Sequence, residues 1–106
     1  MLEVVVEPKR KTTTESKILP PFNVILLNDD HHSFEYVISM LQQLFGFPPE
    51  KGFLCAKTVH VEGRVILMTT SKELAELKQE QIHAFGPDKS IKECAGSMTS
   101  VIEPAY

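Results

Sequence analysis

Apolar residues in this chain fall into short blocks whose spacing separates strand from helix. The run FNVILL, residues 22–27, has strand length and β-forming side chains. It stops at Asn28, Asp29 and Asp30, which favour turns. Ser33 is placed to cap a helix by accepting a backbone N–H. Phe34, Val37, Ile38, Leu41, Leu44 and Phe45 then recur at helical spacing along one stripe. Gly46 follows, where a helix ends with positive φ. A second helix is predicted over residues 49–60, with proline in its first turn and Phe53, Ala56 and Val59 as its apolar face. Gly52 weakens it by up to ~1 kcal/mol relative to alanine. Glu62-Gly63 makes a turn, and residues 64–68 read as a second strand around a buried run, VILM. Thr70 and Glu73 have capping-box spacing ahead of a third helix, whose Leu74, Leu77, Ile82 and Phe85 are expected inward. Gly86-Pro87 stops it, and residues 97–102 read as a third strand ended by Glu103-Pro104.

The order β-α-α-β-α-β places the chain in the α+β class. Three strands cannot hide both sheet faces alone, so the three helices are expected on one side of a small antiparallel sheet. Residues 1–19 contain KRKTTTES, which has no apolar periodicity, and read as a flexible arm ahead of Pro20-Pro21. Residues 20–106 form one domain, consistent with a 106-residue chain that is 42% hydrophobic.

Charge sharpens the division. The arm carries four basic against three acidic side chains, whereas the domain carries seven against eleven. An acidic body is a poor surface for nucleic acid and suits a positively charged ligand. No apolar run approaches the length needed to span a bilayer. MLEVVV lacks the basic start and the apolar length of a signal peptide, so a cytoplasmic chain is expected. Cys55 and Cys94 have no ligand-like spacing and read as reduced thiols used in packing.

Three features bear on chemistry. Asn28-Asp29-Asp30 follows a strand directly and presents acceptors suited to an ammonium, although a hydrophilic turn has the same composition. His60 ends the second helix beside an apolar face. It reads either as a neutral acceptor or as a charged histidine favoured by the helix dipole. The set Asp29, Asp30, His31, His32 and His60 contains metal-ligand types, but without HExxH or i, i+4 spacing, and no metal site is expected. His83 is expected to be solvated. There is no GxSxG, P-loop or GxGxxG, so nothing points to an enzyme or to a cofactor.

The stretches VILLNDDHHSFEYVISML, VHVEG, TSKELAELK and SMTSVIEPA together resemble the ClpS adaptor family over about residues 20–105. The resemblance implies the β-α-α-β-α-β fold, which is similar to the ribosomal stalk protein's C-terminal domain. It implies a monomeric adaptor that binds client chains beginning with Leu, Phe, Tyr or Trp and docks on the N-terminal domain of a ClpA- or ClpC-type unfoldase that feeds ClpP. The family's α-amine contacts fall on Asn28, Asp29 and His60. Its apolar pocket falls on His32, Phe34, Val37, Ala56, Val59 and Met98, and its unfoldase contacts on Glu73 and Lys78. The arm resembles the extension that enters the unfoldase.

The chain departs from the family at the rim. Where many members read NDDxTPMEFV, it reads NDDHHSFEYV: His32 stands for Thr, Ser33 for Pro, and Phe34 for a gating Met. Ala56 stands where a second Met is common. A stiffer Phe34 and a smaller Ala56 imply a reshaped pocket. That leaves a second expectation beside the first, a protein-binding module or unfoldase regulator without N-terminal recognition.

Overall fold

Six elements form in the order read from the pattern: β1 (Phe22–Leu27), α1 (Phe34–Phe45), α2 (Pro49–Glu62), β2 (Arg64–Thr70), α3 (Lys72–His83) and β3 (Ser100–Pro104). This computed structural model of the chain describes residues 19–28, 32–88 and 96–106. The arm expected at residues 1–19, except Leu19, lies outside them, as do Asp29, Asp30, His31 and Cys94.

β1 is the middle strand of a three-stranded sheet ordered β2-β1-β3 and antiparallel on both sides. Strand side chains alternate between faces, so Val24 and Leu26 meet the helices while Asn23, Ile25 and Leu27 face away. The inward side chains form one core with Tyr36, Val37, Met40 and Leu41 of α1, Cys55, Ala56 and Val59 of α2, Ala75 and Ile82 of α3, and Met98. Burial pushes the Cys55 thiol above its ordinary value, partly offset by the nearby Lys51 ammonium.

The register of β2 shifts between Val24 and Ile25. Val24 opposes Met68 and Ile25 opposes Ile66, which leaves Leu67 as the extra residue of a bulge. Leu67 and Met68 therefore both reach the core. Ile66, expected within a buried run, is instead 54% exposed because it shares the outer face with Ile25. Ile25 is fully buried even so. Arg64 opposes Leu27 and Glu103 opposes Asn23, so their 2.9 Å ion pair crosses the central strand over Ile25. At this exposure the pair itself adds little to stability, and the covering arginine stem is its larger contribution.

The caps explain where the helices begin and end. Ser33 Oγ accepts from Tyr36 N–H at 3.1 Å, and Gly46, at φ 71°, donates its N–H back to the Gln42 carbonyl. The third helix differs from expectation at its start: Ser71, not Thr70, is the N-cap and accepts from Leu74 N–H, while Thr70 completes β2. β2 runs two residues past the predicted end, α2 runs on to Glu62, and β3 starts at Ser100 rather than Ser97.

Two helices are rotated from the faces their largest apolar residues suggest. The inward stripe of α2 is Gly52, Cys55, Ala56 and Val59, and Phe53 lies beside it, 47% exposed. The inward stripe of α3 is Ala75, Lys78, Gln79 and Ile82, with Leu74 and Leu77 exposed on its flank. α1 likewise buries Tyr36 and Met40 with Val37 and Leu41, while Ile38, Leu44 and Phe45 are only partly covered.

The cause in α2 is close helix contact. A Cβ on Gly52 would sit 3.3 Å from the Ile38 Cα, so glycine here permits α1 and α2 to touch through backbone. The helix cost of Gly52 is thus tied to tertiary packing. Gly52→Val should lower unfolding stability by about 1–3 kcal/mol, the usual range for overpacking. Urea unfolding followed by circular dichroism measures it, and an unchanged midpoint would show that the helices separate without cost.

Candidate functional site

Strand ends and helix ends converge at one edge of the domain. Asn28, just after β1, donates its backbone N–H to the Gly63 carbonyl at 3.0 Å. Gly63, at φ 90°, closes α2 by donating its own N–H to Val59. This latch ties the end of β1 to the end of α2 and brings Asn28 beside His60.

The other side is built from the start of α1 and the residues before β3. The buried Asp88 carboxylate accepts from Ser33 N–H at 2.6 Å, at the N-terminus of α1, where negative charge is favoured. Tyr36 Oη donates to the Gly86 carbonyl at 2.5 Å, and Gly86 N–H donates to Ser97 Oγ at 2.6 Å. His32 Nε2 lies 2.8 Å from the Gly96 carbonyl, which can only accept, so that nitrogen carries the proton. The His32 ring also packs on Tyr36, with centroids 4.5 Å apart.

A narrow hollow of about 30 Å³ lies between these two sides, with room for about one or two waters. Its floor is Val37, Ala56, Val59 and Met98, all buried. Its rim carries exposed Asn28 and His60, together with His32. Phe34 completes the wall, half-buried, with its ring edge-on to His60 at 5.7 Å and to Phe53 at 5.8 Å. Eight of the nine residues expected at the α-amine and apolar subsites therefore surround one space, and the ninth, Asp29, lies outside the described residues.

Glu73 and Lys78 stand apart from this hollow on α3. Glu73 is exposed in the first turn, whereas Lys78 Nζ donates to the Leu44 carbonyl at 2.5 Å and lies 5.1 Å from the Phe45 ring centre. The ammonium of Lys78 thus meets the C-terminal end of α1, where a cation is favoured. Among the described residues, no three His, Cys, Asp or Glu side chains come together to hold a metal ion. No described helix is long and apolar enough to cross a membrane.

Several residues that build the site were not singled out from the sequence. Tyr36 lay one step off the chosen stripe, and Asp88 and Gly96 lay in a polar loop without periodicity. Phe53, at core spacing on α2, lies beside the inward stripe. His83, expected to be solvated, is exposed yet accepts the Ser100 N–H at 3.0 Å. Gln79 Nε2, one turn earlier, donates to the Ser100 carbonyl at 2.9 Å. Both contacts fix the strand that follows Met98.

Comparison with known proteins gives a consistent result. The profile of the family described as ATP-dependent Clp protease adaptor protein ClpS matches residues 17–91. The chain is 37% identical over 73 residues to the ClpS adapter of Pectobacterium carotovorum, covering 67% of this chain and 69% of that protein. Against the Edwardsiella ictaluri ClpS adapter it is 33% identical over 84 residues, covering 77% and 79%. Among solved structures it is similar to Agrobacterium tumefaciens ClpS2 bound to L-phenylalaninamide. There the TM-score is 0.69 at 25% identity, with 80% of this chain and 96% of that one covered.

The Asp88 contact has a measurable consequence. Asp88→Ala leaves the Ser33 N–H without that carboxylate and should destabilise the fold by about 1.5–3 kcal/mol, the range for hydrogen bonds to a charged group. Thermal unfolding reads this directly. A variant as stable as the parent would remove Asp88 from the set of residues that hold the start of α1.

Proposed function

The chain belongs to the ClpS family of ATP-dependent Clp protease adaptors, and from that premise we propose that it captures the free N-terminal residue of client proteins and hands them to a ClpA- or ClpC-type unfoldase. The single observation that carries this reading is the stacking of acceptors over an apolar floor. Asn28 and His60 stand at the rim of a hollow floored by Val37, Ala56, Val59 and Met98. A chain start offers the matching pair of features, an ammonium with three donors and, on the same Cα, its first side chain. Asp29, next to Asn28 in the sequence, is proposed as the further acceptor. L-phenylalaninamide, the molecule bound to the Agrobacterium relative, combines an amine with an aromatic side chain in the same way.

Magnitudes support capture of modest strength. Each charge-assisted hydrogen bond contributes roughly 1.5–3 kcal/mol. Burial of a Leu or Phe side chain adds roughly 1.5–3 kcal/mol. After association costs, a dissociation constant on the order of micromolar is expected. No covalent step is required, and the protein acts as an adaptor only. Glu73 and Lys78 on α3 are proposed as unfoldase contacts, with the arm of residues 1–19 as the segment the unfoldase engages.

A second reading is a regulator that docks on the unfoldase without capturing chain starts. The observation in its favour is the size of the hollow, about 30 Å³ with Phe34 among its lining residues, well below the several hundred cubic ångströms of ordinary ligand pockets. A pull-down with the unfoldase's N-terminal domain, run beside peptide titrations, separates the two. Docking without any peptide binding favours the regulator.

The capture reading predicts that peptides starting with Phe or Leu bind while their N-acetylated versions do not, by fluorescence anisotropy. His60→Ala should weaken binding by about 10- to 100-fold, since a charge-assisted hydrogen bond is lost, without unfolding the domain. Equal affinity of the free and acetylated peptides would refute it.

A further inference from the structure

We propose that Phe53, which does not line the hollow, governs how readily a client's first side chain enters it, by holding the Phe34 ring in the wall of the hollow. This rests on the capture reading and adds to it a positioning residue that sets selectivity by side-chain width.

A hollow of about 30 Å³ must widen before it takes even a leucine side chain, so one of its walls has to move. The floor is poorly placed to do so. Val37, Ala56 and Val59 lie in the packed seam between α1 and α2, within two turns of the close approach of Gly52 to Ile38. Met98 is buried two residues before Ser100, whose N–H, carbonyl and hydroxyl are all bonded inside the protein. His32 is held to the Gly96 carbonyl. Phe34 is different. It is the first residue of α1, it is half-buried, and no hydrogen bond fixes its side chain. Swinging its ring is the available route in.

Two rings hold Phe34 where it is. His60 meets it at 5.7 Å and 71°, and Phe53 at 5.8 Å and 66°. Both fall in the edge-to-face range in which aromatic pairs attract. His60 is a rim acceptor and has its own role toward the chain start. Phe53 has no such second role and sits outside the hollow, half-exposed. Its contact with Phe34 stabilises the narrow form of the hollow and therefore opposes the widening that entry requires. The opposition grows with the displacement required, so a wide aromatic side chain meets more of it than leucine does. Phe53 thereby biases the site toward leucine over tryptophan and phenylalanine.

The test is a titration series with peptides identical except for a first residue of Leu, Phe or Trp, each with its N-acetylated control. Phe53→Ala should bind the Phe and Trp peptides about 2- to 10-fold more tightly than the parent, the effect expected from losing one aromatic pair. The gain for the Leu peptide should be smaller. Phe53→Tyr, which keeps the ring, should restore the parent's affinities. The double variant Phe34→Ala/Phe53→Ala should bind no more tightly than Phe34→Ala alone, because Phe53 acts only through Phe34. A purely structural role for Phe53 would instead lower the melting temperature and weaken all three peptides alike, which overturns the inference. So would unchanged affinities in folded Phe53→Ala while the acetylated controls still fail to bind, and in that case the capture reading survives. If none of the free peptides binds any of the five proteins, capture itself is wrong and the role of Phe53 falls with it.

Discussion

Ser100 holds the two halves of the site in register. Its hydroxyl donates to the Ile25 carbonyl at 2.8 Å inside the sheet, its N–H donates to His83, and its carbonyl accepts from Gln79. A buried serine with every polar group bonded is costly to displace, because each broken bond leaves a group without water. The start of β3 is consequently fixed both to β1 and to α3. Met98, two residues earlier, inherits that position, and Gly96 and Ser97 just before it fasten onto His32 and Gly86. The pocket wall nearest β3 is thus a consequence of where the strand begins.

The opposite wall follows from the Asn28–Gly63 latch, and the two walls differ in kind. Where elements are tied by backbone hydrogen bonds and helix-to-helix packing, the surface is rigid. Where Phe34 stands, ring contacts and packing at the edge of the core hold the side chain, without a hydrogen bond. A site that recognises a charge and a side chain together benefits from this split. Rim acceptors must be in place before the ammonium leaves water, whereas the apolar part tolerates, and can use, a movable cover.

Much of this was legible in the sequence, and the failures share a cause. All six elements and their order follow from spacing and turn residues. The residues around the hollow came as a set only through the motif resemblance, since spacing alone left Asn28 a turn residue and His60 ambiguous. What misled was size. Phe53, Leu74, Leu77 and Ile66 are large, apolar and at core spacing, yet the inward positions belong to Gly52, Cys55, Ala75 and Lys78. Small residues let helices approach closely, and a lysine stem covers apolar surface while its ammonium caps a neighbouring helix. The bulge at Leu67 shifted faces within one strand, which no two-residue period can anticipate. Ser100, Gln79 and His83 carried no signal, because their value lies in contacts between distant parts of the chain.

The same geometry bears on why an adaptor would combine these parts. An acetyl group removes the charge of a chain start and leaves one donor of three, so rim acceptors facing it would be left without partners in a desolvated mouth. That penalty falls on the wrong ligand rather than rewarding the right one, and it gives sharp discrimination without tight binding. Under the capture reading, affinity would stay modest because the hollow must first widen to take the side chain. A client held in this way can be passed on. An adaptor that bound its cargo with every contact buried would discriminate no better and would release far more slowly.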